Sequence, residues 1–208
     1  MSDDYWAAVT TMRLAVADLL EELSAQEWDR PSLCAAWRVR DVAGHLSLVP
    51  TITTWEMVRV APRALGNPHR INTLLARRYG DRPTDEIVAR IREHADARGT
   101  ARVLDARDSL FDVVVHSQDI ALPLGRVVEV PVDSAAQGLD RVWGMGWPFR
   151  ARARLDGLEL RATDADWRQG NGPVVAGPAL ALLLLLTGRT EAALPSLTGD
   201  GVAGLRPV

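Results

Sequence analysis

The sequence predicts an α+β protein, with a four-helix bundle over residues 1–126 and a small α+β domain over residues 127–208. Three observations carry this expectation. Apolar residues recur at three- and four-residue spacing through four segments of the first part. From Arg150 the spacing shortens to two. Gly, Pro and Asn pairs then punctuate the chain at short intervals.

The first helix is predicted to start at Asp3 and Asp4, which serve as capping residues. It buries Val9, Met12, Val16, Leu19, Leu20 and Leu23, and Asp29-Arg30-Pro31-Ser32 breaks it. A second helix begins near Val39, with Val42, Leu46, Val49 and Ile52 on one face. Pro62 and Gly66-Asn67-Pro68 read as a loop or helix end. Pro83-Thr84-Asp85-Glu86 starts the third helix, which carries Ile87, Val88 and Ile91, and Gly99 is placed to stop it. The fourth runs from about Arg102 toward Leu122, where Pro123 and Gly125 end it. Four amphipathic helices with short or moderate connections make a bundle.

Val127 to Val132 suits a linker, and a shorter helix follows from Asp133 to about Trp147. Arg150 to Leu155 and Leu158 to Ala162 alternate as strands, joined by a hairpin turn at Asp156-Gly157. Asn171-Gly172 turns the chain before Pro173-Val174-Val175. Gly177-Pro178 opens a last helix, with Pro at its first position, and Gly188 closes it.

Composition excludes several classes. Apolar residues at 47% and charged ones at 25% belong to a globular protein, not a disordered one. A net charge of −3 provides no basic footprint for nucleic acid or an acidic membrane. The single cysteine, Cys34, rules out an intrachain disulfide and fits a reducing compartment. The acidic start of the chain is unlike a secretory signal, and the apolar run Ala179 to Leu186 is far shorter than the ~20 residues of a membrane span, so a cytoplasmic location is expected. All 24 basic residues are Arg, which reads as the codon bias of a high-GC bacterial genome.

The chemistry rests on three residues. His45 lies three positions after Val42 and four before Val49, which puts it on the buried stripe of the second helix. Asp112 and His116 are four apart on the fourth helix and share a face, with Asp108 and Asp119 continuing the polar line beside Leu104, Phe111, Val115 and Leu122. A carboxylate and imidazoles turned into a bundle must be compensated for lost hydration, and a divalent ion does so. Two nitrogens and one oxygen suit Zn²⁺ first, and Ni²⁺, Fe²⁺ or Co²⁺ are tolerated. The same residues also fit an internal hydrogen-bond network without metal. Asp119 is placed to orient His116 or His45, or to meet a neighbouring Arg.

Other candidates are weaker. Cys34 reads as a small buried residue before a helix, and His69 and His94 as surface positions. Trp37 and Trp55 flank the His45 helix and read as core residues that could instead line a pocket mouth. Arg150, Arg152 and Arg154 fall on one strand face, either solvated or facing an anionic substrate.

Two segments carry a family resemblance. Leu33 to Leu46, which contains Trp37, Val39, Asp41, Val42, His45 and Leu46, resembles the W-x-V-x-D-V-x-x-H-L signature of the mycothiol-dependent maleylpyruvate isomerase-like family, one of the DinB-like metal-binding bundles. Asp112 to Ile120 resembles its second signature, a carboxylate four residues before a His with an Asp soon after. Ala162 to Trp167, Gly177-Pro178 and Thr187-Gly188-Arg189 are similar to the small C-terminal domain of many members. The resemblance implies a metal held by His45, Asp112 and His116, with mycothiol, a low-molecular-weight thiol, as cosubstrate. It also implies an enzyme acting on a small electrophilic molecule, as an isomerase or a thiol transferase. A free thiol has a pKa near ~8.5, and coordination to a cation deprotonates it. The alternative is a non-catalytic metal or small-molecule binding protein of the same fold. Two departures stand out. Asp112 is one methylene shorter than the family's Glu, which reduces its reach. Arg38 replaces the hydroxyl residue that caps the second helix, a loss of ~1 kcal/mol.

Overall fold

The computed structural model describes residues 1–98 and 105–206. They form two compact units, Met1–Glu129 and Val130–Val208. In the first unit, α1 (Asp3–Glu21) is followed by the single turn α2 (Ala25–Trp28), α3 (Val39–Leu48), α4 (Thr54–Val60), α5 (Pro68–Gly80), α6 (Thr84–Glu93) and α7 (Ser109–Ala121). Helices α1 and α3 each pack against both α6 and α7, which closes a four-helix ring. Val9, Val16, Val42, Ile87 and Val114 fill its centre without measurable exposure.

Local chemistry sets the helix ends. Ser2, not Asp3 or Asp4, caps α1: its hydroxyl accepts from Tyr5 N at 3.2 Å, and the two aspartates occupy the first turn. Helix α3 stops at Leu48, so Ile52 leaves the predicted stripe and packs with Leu48, Leu75 and Tyr79 instead. Helix α6 ends at Glu93, and the predicted stop at Gly99 lies outside the described residues, as does the predicted start of the fourth helix near Arg102. A 3-10 turn, Ala106–Asp108, leads into α7, and Gly125 in the left-handed region (φ 65°) follows its end.

The stretch read as loop between Thr53 and Gly80 is helical. A capping box of Thr53 and Glu56 starts α4, and Asn67 Oδ1 accepts from His69 N (2.9 Å) and Arg70 N (3.3 Å) to start α5, with Pro68 in its first turn. Gly66-Asn67-Pro68 is thus a beginning as well as an end. Helix α5 lies against α3 at backbone contact distance. A Cβ on Gly44 would stand 2.7 Å from Gly80 Cα, and one on Gly80 would stand 2.7 Å from Arg40 O.

The second unit holds α8 (Val132–Gly144), the turn α9 (Ala151–Arg154), β1 (Glu159–Ala162), β2 (Arg168–Gly170), β3 (Val174–Gly177), α10 (Ala179–Leu186) and α11 (Thr190–Ala193). The sheet order is β2-β1-β3, with β1 antiparallel to β2 and parallel to β3. Helix α10 packs on α8, on α11 and on β1 and β3. The predicted strand from Arg150 to Leu155 is instead the helical turn α9. Ala151 and Leu155, four apart, are both buried, which is helical spacing, and Arg154 turns inward to donate to Phe149 O, Leu185 O and Leu186 O at 3.0, 3.1 and 2.8 Å. No arginine-lined strand face forms there. Pro178 is the residue before α10 and not its first position, and Asp164 Oδ1 accepts from Ala179 N at 2.8 Å. Among the described residues no helix is long and apolar enough to cross a membrane.

Candidate metal centre

Helix α3 is held at its start by Asp41, whose buried carboxylate accepts from Arg38 N at 2.9 Å and pairs with the Arg38 guanidinium at 2.9 Å. The third helical residue thus supplies a cap that Arg38, with no acceptor atom, lacks. One turn further on, His45 is 8% exposed and points into the bundle. From the neighbouring helix, Asp112 and His116 project one turn apart.

The three side chains converge. One Asp112 oxygen lies 3.4 Å from His45 Nε2, and Oδ1 lies 3.6 Å from His116 Nε2. One donor atom from each residue falls within 4.8 Å of the others. An ion bound at about 2.1 Å to three tetrahedral ligands needs those atoms roughly 3.4 Å apart. The observed separations leave Asp112 close enough to serve despite its shorter side chain.

The surroundings constrain both rings. His116 Nδ1 lies 2.8 Å from Asp119 Oδ2, and the Asp119 side chain is fully buried. The two imidazole centroids are 4.9 Å apart at 71°. Trp37 stands 5.4 Å from His45 and is stacked 6.0 Å from His116, while its Nε1 donates to Thr73 Oγ1 on α5 at 3.3 Å. Trp37 is therefore a buried wall of the cluster, whereas Trp55 is 65% exposed and takes no part.

Burial pushes the Asp112 carboxyl up, but the charges of His45 and His116, the His45 hydrogen bond and the charge of Arg13 outweigh it. The pKa falls from 3.8 to about 2. Arg13 is the site residue that periodicity missed. It is 4% exposed on α1, and its Nη1 donates to Ala95 O and Ala97 O at 3.1 and 2.8 Å. Burial lowers its pKa and the neighbouring Asp112 charge raises it. The signal was present, since Arg13 sits four residues after Val9 and three before Val16, on the apolar stripe itself.

Among the described residues the cluster of donors that could hold a metal ion is His45, Asp112 and His116, without Cys34, which is half-buried in the loop before α3. His69 is exposed and His94 is partly so, both outside the cluster. Asp108 lies before the first turn of α7 and is not a donor to it.

Fold and site together define a helical-bundle protein with an inward-facing His/Asp/His cluster. Residues 9–105 match the family model of the mycothiol maleylpyruvate isomerase N-terminal domain. The crystal structure of the mycothiol-dependent maleylpyruvate isomerase superposes with a TM-score of 0.65 at 15% identity, covering 99% of this chain and 94% of that one. A histidine-to-alanine mutant of that enzyme gives 0.63 at 13% identity with the same coverage. At such identities the likeness is one of fold. No curated protein matches the sequence. Residues 9–105, a little under half of the chain, therefore carry the likeness to that N-terminal domain, and the fold likeness extends over the whole chain.

Proposed function

We propose that the chain is a cytoplasmic, metal-dependent enzyme that uses mycothiol and acts on a small electrophilic molecule, as an isomerase or a thiol transferase. One observation carries the reading: three donors from two helices lie within 4.8 Å of one another in a bundle interior. Imidazole and carboxylate donors favour Zn²⁺, with Ni²⁺, Fe²⁺ or Co²⁺ as alternatives. His45, Asp112 and His116 would hold the ion, and the match of residues 9–105 to the mycothiol maleylpyruvate isomerase N-terminal domain supports the thiol. When bound, the metal would supply Lewis acidity that lowers the pKa of a coordinated thiol.

The chain's own residues do the rest. His45 and His116 present Nε2 toward Asp112, and Trp37, stacked on His116 and tilted against His45, walls one side of the cluster. Two carboxylates, Asp112 and Asp119, stand against one guanidinium, Arg13, so the protein charge near the cluster is negative when both imidazoles are neutral. A divalent cation reverses that sign, and one anionic ligand such as a thiolate then restores neutrality.

Elemental analysis of untagged wild type beside His116→Ala tests the metal. A stoichiometric ion in the first and none in the second is expected, and equal content in both removes the site. Turnover of an electrophile such as maleylpyruvate should then require mycothiol. Metal without any thiol-dependent reaction or thiol binding would leave a binding protein of the same fold.

A further inference from the structure

The two imidazoles are held unequally. His116 Nδ1 lies 2.8 Å from the fully buried Asp119 carboxylate, while among the described residues no hydrogen-bond partner meets His45 Nδ1. A carboxylate accepts only, so a neutral His116 beside it must carry its proton on Nδ1 and turn its lone pair to Nε2, the nitrogen that faces Asp112 and His45. Trp37, stacked on the same ring at 22°, blocks a swing out of plane. The backbone of the same residue is also engaged: Asp119 O accepts from Leu33 N at 3.1 Å, at the start of the loop that delivers Trp37.

We propose that Asp119 is the positioning residue of the site. Its carboxylate sets the tautomer and rotamer of His116, so that one ligand is preset before any ion arrives while His45 is left to adjust. The proposal rests on the metal reading above for its consequence, but its structural half holds in the metal-free protein. Buried acceptors of this kind, once removed, typically cost 10–100-fold in metal affinity.

The test has two arms. Long-range ¹⁵N–¹H spectra of metal-free wild type at mildly alkaline pH should show His116 protonated on Nδ1, with the His45 ring as internal comparison. Protonation of His116 on Nε2 overturns the proposal, whatever the variants do. Zn²⁺ titration of Asp119→Ala should then show affinity reduced 10–100-fold, with Nε2-protonated His116 appearing in the metal-free spectrum. Asp119→Asn, which keeps an acceptor oxygen without the charge, should recover part of the affinity. Wild-type affinity in Asp119→Ala, or lost affinity with an unchanged tautomer, refutes the positioning role. If wild type binds no Zn²⁺, the metal reading fails by itself, and the wild-type spectrum still decides the role of Asp119.

Discussion

Replacing Gly44 with Ala sets helix propensity against packing, and the two predict opposite signs. Gly44 is in the interior of α3, where Ala is favoured by about 1 kcal/mol. The added Cβ, however, would stand 2.7 Å from both Gly80 Cα and Tyr79 C, about 0.7 Å inside the 3.4 Å at which ordinary contact begins. These are backbone atoms, so no rotamer change relieves them and α5 must move off α3. Overpacking costs ~1–3 kcal/mol, and a backbone clash belongs at or above the upper end. The net expectation for Gly44→Ala is a loss of about 2 kcal/mol. In urea, with an m-value of roughly 2 kcal/mol/M, the midpoint should fall by about 1 M. Because His45 is the next residue, metal affinity should fall as well. An unchanged or raised midpoint would show that α3 and α5 do not meet through their glycines, and the description of that contact would be wrong.

Arg13→Met keeps an unbranched apolar stem but removes the guanidinium, with its hydrogen bonds to Ala95 O and Ala97 O and the positive charge near Asp112. A loss of about 2–4 kcal/mol is expected in chemical denaturation, and a change below ~0.5 kcal/mol would mean that the guanidinium is not structural. Acid should act on the metal-free protein through Asp112. Its folded pKa of about 2 lies below the ordinary 3.8, so its contribution is fully present above pH 4 and is lost as pH falls toward 2. At 1.36 kcal/mol per unit this amounts to ~2 kcal/mol. Urea titrations at successive pH values should show that decline in wild type and a shallower one in Asp112→Asn; parallel curves would contradict it.

Much of this was legible in the sequence, for physical reasons. The four ring helices α1, α3, α6 and α7 each carry a continuous apolar stripe, and periodicity finds such stripes. The same rule placed His45, Asp112 and His116, because an inward position depends on register alone. Helices α4 and α5 were missed because their stripes are interrupted: α4 buries no residue fully, and α5 meets α3 through Gly80, which has no side chain to count. Only their caps, Thr53 with Glu56 and Asn67 before Pro68, announced them. The alternation from Arg150 to Leu155 fits a strand and a helical turn equally over so short a span. The deciding contacts, Arg154 to the carbonyls of Leu185 and Leu186, lie some thirty residues away in the chain. Arg13 escapes periodicity because a stripe is defined by its apolar members, and the carbonyls of Ala95 and Ala97 that let a guanidinium be buried there are more than eighty residues away in the chain.

His45 and Asp112 are 67 positions apart in the chain, yet their polar atoms meet at 3.4 Å. No short peptide from this protein could reproduce the cluster, and a partly synthesised chain lacks it until residue 116 has joined α3. An ion seated between these helices would therefore act as a clasp on the assembled domain, and its free energy would count against global opening, not local fraying. Its escape would keep time with the parting of α3 from α7.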